Sequence, residues 1–193
     1  MQTLTISKPD DFHLHLRDGE AMSSVVNYSA AQFSRAIVMP NLKPPITTVD
    51  MAVSYYNRIL DNVNEEYNFE PLMTLYLTDN MSPSEIDKAA ETKSITALKY
   101  YPAGATTNSD SGVTDIKKIY SVLEAMMKNG LPLLLHGEVN DIEVNVFDRE
   151  KIFIDRVLTP LVDDFSELKI VLEHISTKEA VDFILNASDN LAA

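Results

Sequence analysis

Short apolar runs alternate along the chain with longer stretches in which apolar residues recur at helical spacing. Runs rich in β-forming residues predict six strands, at residues 11–16, 35–39, 72–77, 95–101, 131–136 and 168–174. Strands that alternate with helices build parallel sheets. The pattern therefore predicts an α/β fold, and by itself it allows either an open doubly wound sheet or a closed barrel.

The helices between these strands are predicted from spacing and from their end signals. Apolar residues share one face over 48–67 and again over 114–129, where Gly130 occupies the expected C-terminal cap. Two Ser-x-x-Glu capping boxes, which begin at Ser82 and Ser176, predict two further helix starts. The result is six strand-helix units in a single domain, residues 1–193.

Composition and charge narrow the classes of function. The net charge of −13 argues against nucleic acid and anionic membranes as partners, because no basic stripe is available. The sequence begins without a signal-peptide pattern, and no apolar run approaches the roughly 18 residues of a membrane span, so we expect a cytoplasmic protein. Only five glycines occur, and none forms the G-x-G-x-x-G of dinucleotide-binding folds.

The four histidines occupy one type of position. His13 and His15 are two residues apart on the first predicted strand and therefore project to one face, while His136 and His174 each close a later strand. The residues of the first strand expected to pack on its other face are Phe12, Leu14 and Leu16. The C-terminal ends of the strands of a parallel barrel form one rim, where active sites are built. Since the chain has no cysteine, this grouping predicts a metal site with imidazole ligands; packed core histidines are the alternative.

Lys99 lies inside the apolar run ITALKYYP, where a charged amine is costly unless it is paired or neutralised. It could be a strand-end lysine that reaches solvent. Beside a cluster of metal-binding histidines, an amine of lowered pKa could instead add carbon dioxide. The carbamate would be a two-oxygen anion able to bridge two cations.

Six motifs carry a family resemblance: FHLHLRDG, AIVMPNLKPPITT, KYYPAGATTNS, LLLHGEV, FDRE and LEHISTKEA. Their pattern resembles the amidohydrolase superfamily, and within it the dihydroorotases of the single-enzyme bacterial type, from about Pro9 onward. The resemblance implies a TIM (β/α)8-type metal-dependent hydrolase barrel. It also implies the reversible cyclisation of N-carbamoyl-L-aspartate to L-dihydroorotate in de novo pyrimidine biosynthesis, commonly by a homodimer.

The same resemblance implies two Zn²⁺ ions bridged by carboxylated Lys99. His13 and His15 would join Lys99 on one zinc, and His136 and His174 would join it on the other.

Substrate-binding residues are implied in the same way. Arg17 and Asn41 would hold the substrate carboxylate, with His15 and His136 lining the same pocket, and Thr106 and Thr107 would close over the bound molecule. A guanidinium fork suits a carboxylate, and alternation places Arg17 on the face of the first two histidines. The alternatives are a surface arginine paired with Asp18 or with a helix, a turn asparagine and a mobile connecting loop.

The chain departs from the family pattern after the sixth unit. Strands seven and eight are expected to be absent, and the aspartate that acts as general base is expected beyond residue 193. Asp18, Asp79 and Asp141 lie near strand ends but match no such motif. We therefore expect a mostly assembled metal site with impaired turnover.

Two other functions remain open at this point. One is another cyclic amide hydrolase, a hydantoinase or an allantoinase. The other is a non-catalytic interaction module that uses an open sheet edge, although such a module has no need of a full set of metal ligands.

Overall fold

A seven-stranded parallel sheet forms the centre of the computed structural model, which describes residues 3–193. The strands follow one another in chain order, β1 to β7: Asp10–Leu14, Arg35–Val38, Glu70–Tyr76, Ile95–Tyr100, Leu133–His136, Ile170–Glu173 and Leu191–Ala192. Helices α1 to α7 cover one face of it: Gly19–Gln32, Val49–Leu60, Pro83–Glu91, Tyr120–Asn129, Arg149–Phe153, Thr159–Asp164 and Lys178–Leu185. This is a curled partial barrel, so the predicted barrel-type fold is confirmed.

All six predicted strands are present, and no predicted strand end differs from the observed one by more than two residues. The seventh strand was expected to be absent, and that expectation was wrong: Leu191–Ala192 pairs in parallel with β6. Two residues are too few for any periodicity to be read from the sequence. In the described part of the chain, β1 pairs only with β2, and β7 pairs only with β6, so the barrel is open between them.

Two apolar layers flank the sheet. The larger layer packs the helices against the outer face, and each of α1 to α4 contributes residues to it. A small inner cluster of Met39, Ala97 and Leu134, with Ile37 and Val171 against it, fills the inside of the curl. Alternation along buried strands produces these two faces, because successive side chains point to opposite sides. Positions two residues beyond the inner cluster therefore also face inward.

The predicted helix over 48–67 is shorter in the structure. Thr48 caps the start of α2, accepting a hydrogen bond from the Met51 amide at 3.3 Å. The helix ends at Leu60, where the side chain of Asn62 donates to the Arg58 carbonyl at 2.8 Å and satisfies an acceptor that a further turn would have used. Over 114–129 the chain first makes a 3-10 turn, Ile116–Ile119, and then α4, which Gly130 ends in the left-handed conformation as predicted.

Neither predicted capping box closes. Ser82 precedes α3, but its hydroxyl bonds that of Ser84, while Glu85 accepts from the Val49 amide at 2.7 Å and caps α2 instead. At α7 the cap is Thr177 rather than Ser176, and its hydroxyl accepts from the Ala180 amide at 3.2 Å. Acidic side chains on neighbouring helices compete for these helix ends, and the sequence of one helix alone does not reveal that competition.

Two further observations concern surfaces. Phe12, expected to pack beside Leu14, is 70% exposed, because β1 is an edge strand and no described residue covers that position. Among the helices of residues 3–193, none is both long enough and apolar enough to cross a membrane.

Candidate metal centre

Three polar side chains converge at the C-terminal end of the sheet, on its inner face. Lys99, His136 and Glu173 each follow by two residues a side chain of the inner apolar cluster, and strand pairing places His136 beside Glu173. Lys99 is fully buried and Glu173 is 6% exposed. Ionisable groups are therefore concentrated at one end of an apolar interior, which is where a parallel barrel places its chemistry.

His13 and His15 form the first of two imidazole pairs. His13 lies in β1 and His15 directly follows it, and their Nε2 atoms are 3.0 Å apart. The ring centroids are 4.9 Å apart, with the ring planes at 63°. The Nε2 atoms of His13 and His15 are therefore close enough to share one ligand-binding position.

His136 and His174 form the second pair, with His136 Nδ1 3.2 Å from His174 Nε2. His174 has a left-handed backbone, with a φ of 45°. Strict alternation would send neighbouring residues to opposite faces, and this turn brings His174 to the same pocket as Glu173. The rings of His13 and His174, one from each pair, lie 5.2 Å apart between centroids.

Both pairs have the spacing that zinc requires. Zn–N bonds of about 2.0–2.1 Å at a tetrahedral angle place two ligand nitrogens roughly 3.3 Å apart. The observed separations of 3.0 and 3.2 Å need only small adjustments. The donor set, four imidazoles and no thiolate, also suits zinc, so the residues present fit two such ions.

Lys99 and Glu173 lie between the two pairs. The Lys99 ammonium forms an ion pair with Glu173 Oε2, and the other carboxylate oxygen, Oε1, is 3.0 Å from His13 Nδ1. The lysine Nζ is also 5.0 Å from the centroid of the Tyr101 ring. A pairing of opposite charges accounts for how a fully buried ammonium is tolerated here.

Burial dominates the protonation of these groups. The pKa of His15 is lowered to about 4 and that of His136 to about 3, chiefly by burial, with a smaller contribution from nearby cationic groups, including Arg17 for His15. Burial also lowers the pKa of Lys99, against the opposing effect of Glu173. The Glu173 pKa lies below its usual value, because contacts with His13 and Lys99 outweigh burial, which would raise it. Near neutral pH, His15 and His136 are therefore uncharged and hold a lone pair for a metal.

Arg17 lies at the mouth of this cluster. Its backbone is left-handed, with a φ of 63°, and its carbonyl accepts a hydrogen bond from the Tyr55 hydroxyl. The pairing with Asp18 that the alternative interpretation required does not form, because Asp18 is bonded to Arg58 at 2.7 and 3.1 Å. Within residues 3–193 no carboxylate pairs with the Arg17 guanidinium.

Asn41 and the loop after β4 are joined. Asn41 is 3% exposed, and its Nδ2 donates to the Thr107 carbonyl at 3.1 Å. The Asn108 side chain returns a hydrogen bond to the Asn41 carbonyl at 2.9 Å. Thr106 and Thr107 are both exposed, and a bond from the Thr106 amide to Ser109 Oγ at 2.9 Å holds the turn. Asn41 is therefore joined by hydrogen bonds to the loop that carries Thr106 and Thr107.

The aspartates singled out near strand ends are engaged elsewhere. Asp18 caps α1 and pairs with Arg58, Asp79 holds Thr114 and Lys118, and Asp141 lies 3.6 Å from Arg156. Among the described residues, His13, Glu173 and His174 have ligand atoms close enough together to hold a metal ion. None of the three aspartates belongs to that group.

Sequence analysis did not identify two glutamates of this region as site residues. Glu173 precedes His174, and alternation would have pointed it away from the pocket had His174 pointed in. Glu150, in the FDRE motif, is 7% exposed and accepts hydrogen bonds from the amides of Ser176 and Thr177, just after His174. The signal in both cases was a glutamate at a position that the apolar pattern predicts to be buried.

Comparison with known proteins places this geometry in a family. A dihydroorotase of Acaryochloris marina is 60% identical over the whole chain, which spans 56% of that relative. Among solved structures, a dihydroorotase from Campylobacter jejuni superposes with a TM-score of 0.87 at 40% identity, over 96% of this chain and 53% of the other. A dihydroorotase from Saccharomyces cerevisiae in complex with 5-fluoroorotic acid gives 0.85 at 34% identity, over 95% and 54%.

The predicted resemblance to dihydroorotases is therefore confirmed, although the chain spans only about half the length of these relatives. The sequence profile of the amidohydrolase family matches residues 10–190. The chain belongs to the amidohydrolase family.

Proposed function

We propose that this protein is a zinc-dependent cyclic amidohydrolase that interconverts N-carbamoyl-L-aspartate and L-dihydroorotate in de novo pyrimidine biosynthesis. The observation that carries the proposal is the convergence of two imidazole pairs, 3.0 and 3.2 Å between nitrogens, around a buried lysine. The similarity to dihydroorotases over the whole chain supports the choice of substrate.

In this proposal His13 and His15 hold one Zn²⁺, and His136 and His174 hold the other. When bound, the two metals supply a polarised carbonyl and an activated water near neutral pH. The protein's own contribution is a set of preoriented imidazoles in a pocket with an apolar floor. Because the His15 and His136 rings are uncharged before metal arrives, loading does not require them to release a proton.

Lys99 is proposed as the carboxylated bridge between the metals. Its neutral amine would attack carbon dioxide, the C–N bond forming as one C=O π pair moves onto oxygen, and one N–H proton would leave to solvent, giving a carbamate of charge −1. An ammonium beside two dications would be repelled, whereas the carbamate supplies the anionic oxygens that four imidazoles lack. The lowered pKa of Lys99, caused by burial, increases the fraction of reactive amine.

Arg17 and Asn41 are proposed to bind the substrate carboxylate. The Arg17 guanidinium has no carboxylate partner in residues 3–193 and can offer two parallel N–H donors. The Asn41 amide, now bonded to the Thr107 carbonyl, would turn to the ligand, and that exchange couples binding to the loop that carries Thr106 and Thr107.

The residues described here supply metal ligands and carboxylate ligands, but no aspartate reaches the cluster. We propose that the general base comes from an aspartate outside them, as the family resemblance implies. The 193-residue chain by itself is then expected to bind zinc while turning over slowly. Robust cyclisation by this chain alone, in a colorimetric carbamoyl-aspartate assay, would contradict the need for that aspartate.

The decisive experiment compares Arg17→Ala with the unmodified protein under conditions that give measurable turnover. Loss of two charge-assisted hydrogen bonds, about 3–4 kcal/mol together, predicts a fall in kcat/KM of roughly 10²- to 10³-fold on dihydroorotate. Lys128→Ala, an exposed cation at the end of α4, is the matched control and should leave kcat/KM unchanged. Undiminished activity of Arg17→Ala on a ring without a carboxylate, such as hydantoin, would favour a hydantoinase or an allantoinase instead.

Homodimer formation and a cytoplasmic location stay predictions. Light scattering coupled to size exclusion tests the first, and cell fractionation tests the second. An interaction module is disfavoured because its function would not require four imidazoles and a lysine close together. If this protein bound no metal, that result would favour the interaction module.

A further inference from the structure

Glu173 occupies an unusual position among the groups of the candidate metal centre. It lies two residues after Val171, on the inner face of β6, and strand pairing places it beside His136. The left-handed backbone of His174 brings that next residue into the same pocket. The last residue of β6 and the residue that follows it therefore both face the pocket, which regular alternation would forbid.

The two oxygens of Glu173 face different partners. Oε1 lies 3.0 Å from Nδ1 of His13, which is the ring nitrogen remote from His15. Oε2 pairs with the Lys99 ammonium, and both side chains of that pair are almost completely buried. Oε1 faces Nδ1 at ion-pair distance, without hydrogen-bond geometry, and Oε2 is on Lys99, so the carboxylate lies behind the His13 ring rather than at the point where the His13 and His15 nitrogens meet.

A carboxylate at the rear nitrogen of a metal-binding histidine has a defined effect. It selects the tautomer with the proton on Nδ1, leaves the Nε2 lone pair free, and fixes the ring plane. In the metal-free protein the same carboxylate also pairs with the Lys99 ammonium, and that pair ends when the lysine becomes an anionic carbamate.

We propose that Glu173 is a positioning residue of the metal centre, which orients His13 through Nδ1 without binding a metal itself and pairs with Lys99 only while that lysine is an ammonium, before it is carboxylated. The inference rests on the proposed zinc function, and it adds a residue to which the motif analysis gave no role. Nothing in it requires Glu173 to touch substrate.

Three variants separate orientation from charge. Glu173→Gln keeps the size of the side chain but removes the negative charge that faces His13 Nδ1 and Lys99. Glu173→Asp keeps the charge near Lys99 but is one methylene shorter and cannot span both partners. Glu179→Gln, on the exposed side of α7 with its carboxylate 3.8 Å from Lys151, makes the same change of charge away from the pocket and is the matched control.

Zinc affinity is measured by titration against a chromophoric chelator, with thermal unfolding followed in parallel. We expect one of the two zinc sites to weaken roughly 10- to 100-fold in Glu173→Gln and in Glu173→Asp, and Glu179→Gln to stay within twofold of the unmodified protein. Affinities of both Glu173 variants equal to that of the unmodified protein would overturn the inference. If Glu173→Gln does not fold, the result for Glu173→Asp decides.

A second measurement needs no metal. Long-range proton–nitrogen spectra of the ¹⁵N-histidine-labelled, zinc-free protein report the tautomer of each of the four rings, and a His13→Asn sample assigns His13. His13 should be protonated on Nδ1 in the unmodified protein and should lose that preference in Glu173→Gln; an unchanged tautomer would overturn the inference. Absence of zinc binding in the unmodified protein would instead refute the proposed function, so the two failures are distinguishable.

Discussion

Replacement of Glu150 by alanine tests how the second imidazole pair is held. The Glu150 carboxylate accepts from the Ser176 amide at 3.0 and 3.2 Å, from the Thr177 amide at 2.8 Å and from the Thr177 hydroxyl. Hydrogen bonds to a charged group contribute about 1.5–3 kcal/mol each, and two amides would lose their partner. Because Ser176 is exposed and water can replace part of the loss, we expect the free energy of unfolding to fall by about 3–4 kcal/mol.

The same change should reach the metal centre. His174 lies two residues before Ser176 and holds a left-handed backbone, which the anchored turn maintains. Releasing that turn should lower zinc affinity at the His136–His174 pair and leave the other pair less affected.

Urea unfolding of the zinc-free protein, followed by circular dichroism, gives the stability change for Glu150→Ala. Glu179→Ala removes an exposed glutamate of α7 and should change the free energy of unfolding by less than about 0.5 kcal/mol. Replacement of Glu150 by glutamine keeps one acceptor and should cost less than alanine. If Glu150→Ala lies within 0.5 kcal/mol of the unmodified protein, the turn after His174 is not held in the way described.

Three further outcomes are expected. Lys99→Met leaves Glu173 buried without its cation and should lower the free energy of unfolding by about 3–5 kcal/mol. The double variant Lys99→Met with Glu173→Leu should recover most of that stability. Equal losses for the two variants in urea unfolding would contradict the ion pair. The folded pKa values of His15 and His136, about 4 and 3, lie below the unfolded value of about 6.5, so the unfolded chain binds more protons in that range. The stability of the zinc-free protein should therefore fall between pH 7 and pH 5, by at most about 1.4 kcal/mol per pH unit per histidine; stability that rises on acidification would refute these pKa values. Asn108→Ala removes the bond to the loop after β2, and hydrogen exchange of residues 103–112 should accelerate; unchanged exchange would show that the loop is held by other contacts.

The architecture was predictable because it depends on simple periodicities. Six apolar runs at regular separation gave the strands, and Gly130 marked a helix end by the one conformation that glycine adopts more readily than other residues. Helix starts were less predictable, since Glu85 and Glu150 act across space on helices other than their own. Such contacts depend on packing, which no local pattern records.

For the candidate centre, the sequence indicated residue types more reliably than geometry. The position of histidines at strand ends sufficed to group them, because parallel strands end at one rim. Glu173 escaped that reasoning, since the left-handed turn at His174 places two adjacent residues in one pocket. The expectation for Phe12 failed for a related reason: alternation assigns a face to a residue but does not say whether anything covers it.

Anomalous diffraction at the zinc absorption edge, from crystals of the zinc-loaded protein, tests the central claim most directly. The account predicts two peaks of zinc density, one between the nitrogens of His13 and His15 and one between those of His136 and His174, with density for a carbamate on Lys99 linking them. A lack of peaks at these four rings, or zinc bound only elsewhere, would contradict the account.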